Sequence, residues 1–138
     1  MSDVLTHVVI RFVQEGFHRW VNAPELRAYL AQRHRHLFHV EVALQVFDED
    51  REVEFHDLLD FCKAAFPTGD FGGRSCETLA KDLQNTITCR YPNRQVIVSV
   101  FEDGEVGARV SGYPPALWQR LPAHVVFRRR SLSSLPDG

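Results

Sequence analysis

Cysteine is scarce and poorly placed for pairing. The three present, Cys62, Cys76 and Cys89, are an odd number with no Cys-x-x-Cys spacing. That argues against a disulfide framework and against a cysteine-built zinc site, and reduced thiols are expected. Long apolar runs are also missing, because no stretch approaches the roughly 20 residues that a membrane helix needs. Neither sign of charge dominates. Lys and Arg number 16 against 18 Asp and Glu, a net charge of −2, so neither a nucleic-acid nor a membrane partner is expected. Met1-Ser2-Asp3-Val4 lacks a basic-then-apolar leader pattern, and the expected location is cytoplasmic. No repeat at a solenoid period is visible.

What is present suits a single folded domain. The chain has 138 residues, 44% hydrophobic and 25% charged, enough to bury a sizeable core. Seven histidines are the one compositional hint of metal chemistry. Two of them stand in His34-Arg35-His36-Leu37-Phe38. On an extended backbone, residues i and i+2 project to the same side, so this pair can share one ion. His18, in Glu15-Gly16-Phe17-His18-Arg19, is the candidate third ligand.

Thr6 to Val13 alternates as a strand, with His18 after a loop marked by Gly16. Asn22-Ala23-Pro24-Glu25 resembles a helix start, and Leu26, Tyr29 and Leu30 would form the apolar stripe of a short helix. From Leu37 to Phe47 the even positions Phe38, Val40, Val42, Leu44 and Val46 make one dry face. If the pleat runs back, His34 and His36 share it. Phe55, Leu58, Leu59, Cys62 and Phe66 have helical spacing. Pro67 to Gly73 is a loop, and Ser75 is the N-cap of a second helix with Cys76, Leu79, Leu83 and Ile87 on one face. Gln95 to Glu102 and Glu105 to Ser111 flank an Asp103-Gly104 hairpin turn. Residues 1–112 are expected to form the domain. Residues 113–138 are expected to be a partly flexible C-terminal extension, with Leu117 and Trp118 covering an apolar patch, a short edge strand at Val125-Val126-Phe127, and an arginine- and serine-rich tail.

Taken in order, these marks resemble the 6-pyruvoyltetrahydropterin synthase family, including 6-carboxytetrahydropterin synthase of the queuosine pathway. Phe12 to His18 looks like the family's first strand ending in a zinc histidine. His34-Arg35-His36-Leu37-Phe38 resembles its His-Gly-His-x-Phe zinc pair, and Glu54-Phe55-His56-Asp57-Leu58 its first-helix opening. Ser75-Cys76-Glu77-Thr78-Leu79-Ala80 is similar to the start of its second helix, which holds the pterin ring. Val98-Ser99-Val100-Phe101-Glu102 looks like its third strand, whose final glutamate anchors the substrate's aminopyrimidine. The resemblance covers residues 6–112.

The resemblance implies an α+β tunnelling fold, a four-stranded antiparallel sheet with two helices on one face in the order β-β-α-α-β-β. It implies Zn2+ held by His18, His34 and His36, a pterin or purine-like ligand bound by Glu102, Ser75 and Cys76, and a homo-oligomer (trimer or hexamer) with sites at its interfaces. The implied activity is that of a lyase on a dihydroneopterin triphosphate-like substrate. The alternative is a non-catalytic protein that binds metal and pterin or purine. Three departures matter. Leu30 stands where the family has a catalytic cysteine, the inter-helix loop lacks the family's Asp-His pair, and Arg35 replaces a glycine. Cys76, His56 and Asp70 are the candidate replacements for the lost proton carriers. Their plainer roles are a small core residue for Cys76 and an exposed helix position for His56.

Overall fold

The computed structural model describes residues 4–48 and 50–112. Strand β1 (Thr6–His18) and strand β2 (His34–Val46) are joined by a 3-10 segment, Glu25–Ala31. Helix α1 (Phe55–Ala65), the two-residue strand β3 (Gly69–Asp70) and helix α2 (Cys76–Arg90) follow, and strands β4 (Val96–Glu102) and β5 (Val106–Gly112) close the order. The extension at 113–138, with its expected edge strand and tail, lies outside the described residues.

β1 and β2 pair antiparallel along their whole length, from Thr6 opposite Val46 to His18 opposite His34. β2 then pairs with β4 and β4 with β5, both antiparallel. One face buries the even-numbered residues of the alternation, including Ile10, Phe12, Val40, Val42, Leu44 and Val98. Leu58 and Cys62 of α1 and Leu79, Leu83 and Ile87 of α2 complete the same core. Burial of each such side chain contributes about 1.5–3 kcal/mol. Ser75 caps α2 as expected, its Oγ accepting from the Thr78 N–H at 3.1 Å.

The expected fold is corrected. Among the described residues the sheet is five-stranded and mixed, in the order β3-β1-β2-β4-β5, and the helical segments number three. This replaces the four-stranded antiparallel sheet with two helices in the order β-β-α-α-β-β, and with it the tunnelling-fold description. The extra strand is parallel to β1, Gly69 opposite Gly16 and Asp70 opposite Phe17. It exists only through that pairing, the Phe71 N–H donating to the Phe17 carbonyl at 2.6 Å. Two residues inside a Pro-Gly loop carry no period of their own, so composition assigns them to the loop.

The loop expected at Gly16 is instead strand, for a packing reason. A Cβ at Gly16 would meet the Phe71 ring at 2.1 Å, so glycine is what lets that ring lie across β1. The short helix expected after Pro24 is the 3-10 segment, broken in dihedral angle at Arg27 and burying none of its residues. Leu26 and Tyr29 are exposed. A helix this short holds its shape only when an apolar face packs, and among the described residues this one has no surface to pack on.

Candidate metal centre

The three histidines converge because the pairing register brings them together. His18 ends β1 directly opposite His34, and His36 lies opposite Gly16. The β2 pleat continues through His34 and His36 in step with buried Phe38, so both rings share the core face. Ring centroids are 4.6 Å apart for His18 and His34, 4.9 Å for His34 and His36, and 5.3 Å for His18 and His36. One nitrogen from each ring lies within 4.8 Å of the other two. Phe38 packs edge-on against His18 and His36 at 5.2 and 5.6 Å, an apolar floor that limits ring motion. Arg35 sits at odd parity and is ion-paired with Glu15 on the other face, so it does not crowd the pair.

Each ring is held through Nδ1. His18 Nδ1 lies 2.9 Å from the Arg74 carbonyl, and His34 Nδ1 lies 2.8 Å from the Gln32 carbonyl. His36 Nδ1 lies 2.7 Å from an Asp103 carboxylate oxygen. All three partners only accept, so each Nδ1 carries the proton and donates it. Each Nε2 is left with a free lone pair, the tautomer that metal-binding histidines have when an outer carbonyl or carboxylate fixes them. His36 Nε2 is buried without a hydrogen-bond partner.

Asp103 is central to this arrangement. It opens the three-residue connection between paired Glu102 and Val106 with φ 55°, followed by Gly104 at φ 75°, the two left-handed residues of a turn closed by the Glu105 N–H donating to the Glu102 carbonyl at 2.9 Å. From there its other oxygen accepts the Leu37 N–H at 2.9 Å. That backbone bond, first, and the His36 bond lower the Asp103 carboxyl from its ordinary value. It is therefore a carboxylate and a firm acceptor for His36.

Glu102 ends β4 beside the cluster. Its Oε2 is 3.2 Å from His18 Nε2 and its Oε1 is 3.5 Å from His36 Nε2. With both Nδ1 atoms protonated, neutral rings set lone pair against lone pair in these contacts, an arrangement that a metal ion between the groups, or a second proton on a ring, makes favourable. This is the observation on which zinc fits the site: three imidazole nitrogens lie within 4.8 Å of one another, and a carboxylate faces two of them.

No known protein-family profile matches this chain, and no curated protein sequence is detectably similar to it.

Beside the cluster opens a pocket of about 600 Å³, with His18, His34, Glu102, Ser75, Cys76 and Leu30 among its lining residues. The residues expected to bind substrate, Glu102, Ser75 and Cys76, are thus brought together with two of the three clustered histidines. Cys76 Sγ lies 3.9 Å from Glu102 Oε2. Burial first, then the Glu102 charge, pushes that thiol up to about 12, so at neutral pH it is a donor and not a thiolate base.

The other two candidates are held elsewhere. His56 is at the start of α1, paired with Glu54 at 3.1 Å. Its neighbours Glu54 and Phe55 line a different cavity with Thr6 and Val46, at the far end of the 13-residue β1, about 40 Å along the strand. Asp70 turns outward to Arg33 at 3.0 Å. Its carboxyl is lowered chiefly by the Gly72 N–H and then by Arg33, and it does not line the pocket. Sequence reasoning missed Asp103, Arg74 and Phe71. Asp103 was visible only as a turn former, and the Arg74 role uses a main-chain carbonyl that any residue would supply.

Proposed function

We propose that the chain is a zinc-dependent lyase of the pterin-synthase type, acting on a dihydroneopterin triphosphate-like substrate by an altered reaction. The observation that carries this reading is the convergence of three Nδ1-anchored imidazoles with Glu102, beside a pocket that His18, His34 and Glu102 line. Zinc, when bound, supplies Lewis acidity toward a substrate oxygen. Glu102 is placed to accept two N–H bonds from a 2-aminopyrimidinone, a charge-assisted pair. The α2 N-terminus at Ser75 and Cys76 offers free backbone donors to a ring edge. Leu30 and Trp20 give the pocket an apolar wall that limits water.

The altered reaction follows from the proton carriers. Leu30 cannot act as a base, and the Cys76 thiol is protonated. Proton transfer needs a group within hydrogen-bond reach, and neither His56 nor Asp70 lines the pocket. These same facts favour a second reading, a non-catalytic protein that binds zinc and a pterin or purine. We also read the chain as a cytoplasmic homo-oligomer, a trimer or hexamer. Three unpaired thiols support the compartment, and exposed Val9 and Val13 on the sheet face away from α1 and α2 support self-association. Among the described residues no helix is long and apolar enough to cross a membrane.

The test is zinc content of wild type and His34→Ala, followed by incubation with dihydroneopterin triphosphate and chromatography of the products. We expect about one zinc per wild-type chain, its loss in the variant, and a zinc-dependent product. Zinc without turnover selects the binding reading, and a wild type with no affinity for zinc overturns both.

A further inference from the structure

The three histidines leave open what completes the coordination sphere, and the position of Glu102 answers it. Tetrahedral coordination at bond lengths near 2.0–2.1 Å separates neighbouring donor atoms by about 3.3 Å. Glu102 Oε2 lies 3.2 Å from His18 Nε2 and its other oxygen, Oε1, lies 3.5 Å from His36 Nε2, so each oxygen stands about one such edge from one histidine nitrogen. With neutral rings, hydrogen bonds do not account for these contacts. The Nδ1 proton of His18 goes to the Arg74 carbonyl and that of His36 to Asp103, while His36 Nε2 has no hydrogen-bond partner. Main-chain geometry supports the placement, because Glu102 is the last residue of β4 and pairs with Phe38, two residues beyond His36 on the same face of β2.

We propose that Glu102 is the fourth ligand of the metal, giving a His18, His34, His36 and Glu102 centre. In the resting protein the coordination sphere is closed by the chain itself. A substrate that draws Glu102 to its own N–H groups frees a position on the metal, so recognition and activation pass through one carboxylate. The ligand assignment rests on the metal reading of the site and is independent of the pterin reading.

The experiment strips the purified protein with a chelator, reloads it with cobalt(II), and records the visible absorption bands and the affinity by chelator competition. Wild type, Glu102→Gln and His34→Ala are compared, with thermal denaturation of each metal-free protein as the folding control. Losing a direct ligand is expected to weaken binding at least as much as losing an outer partner, about 10–100-fold. Glu102→Gln should therefore bind cobalt at least tenfold more weakly, with shifted bands, while the metal-free protein melts as wild type does. Glu102→Asp, which keeps the charge but shortens the reach, should also shift the bands. Unchanged affinity and bands in Glu102→Gln would overturn the ligand assignment and leave the three-histidine site standing. No cobalt or zinc binding by wild type would overturn the metal reading itself.

Discussion

Asp103 and Gly16 are the two single residues on which the candidate site most depends. Asp103 orients His36 and is itself fixed by the Leu37 N–H. Asparagine tolerates the same left-handed φ, so Asp103→Asn removes the charge without disturbing the turn. Its zinc affinity is expected to fall about 10–100-fold, measured by chelator competition, with an unchanged melting profile of the metal-free protein. Gly16 acts through volume. A methyl group there runs into the buried Phe71 ring, and Gly16→Ala should cost about 1–3 kcal/mol of stability. In a Phe71→Ala background the same change should cost much less, because the two substitutions share one contact. Denaturant unfolding of the four proteins checks this, and equal costs in both backgrounds would refute the packing account. Both residues illustrate what was hidden in the chain: a turn-forming aspartate and a strand glycine look ordinary until their distant partners are known.

Among the elements, the long β1–β2 ladder sets the site and the β2–α1 connection closes the other end. That connection is held by Glu52, which accepts the Phe47 and Asp48 N–H groups at 2.7 and 3.1 Å and pairs with Arg94 at 2.7 Å. Chiefly through the Phe47 bond, and also through Arg94, its carboxyl lies below the ordinary 4.5. A depressed folded-state value means the stabilisation is present above pH 4.5 and is lost as pH falls through the folded value. Glu52→Gln should be less stable than wild type near neutral pH, by about 1–2 kcal/mol for hydrogen bonds to a charged group. The difference should shrink as the pH is taken below 4. Melting temperatures from pH 3 to 7 test this, and a pH-independent difference would count against it. The helices and long strands were legible because their periods survive in the sequence. β3 and the 3-10 segment were not: one is defined by its pairing with Gly16 and Phe17, the other by burying none of its residues among those described.

On the scale of the whole molecule, the two sheet faces differ in kind. One is covered by α1 and α2. The other carries a row of paired residues that runs from Arg11 through Glu41 and Ser99 to Arg109. In it Arg11 bonds Glu41, and Arg109 bonds buried Ser99, each at 2.7 Å. Exposed Val9 and Val13 flank the row on β1. If this face meets other copies of the chain, light scattering should give a multiple of the single-chain mass, and Val13→Asp should shift it toward monomer without loss of helical signal. A wild-type monomer at micromolar concentration would refute the reading.

The sequence by itself determined the long strands, the two α-helices, the Ser75 cap and the histidine set, since each depends on local periodicity or residue chemistry. Only the tertiary structure decided that the sheet is mixed and five-stranded. It also decided that Asp103 and two main-chain carbonyls orient the imidazoles, that Glu102 faces them, and that His56 and Asp70 are engaged elsewhere. The physical reason is range. A period of 2 or 3.6 is written into neighbouring residues, whereas the candidate site and the groups that orient it are assembled from residues as far apart as His18 and Asp103, and only the pairing register brings them together.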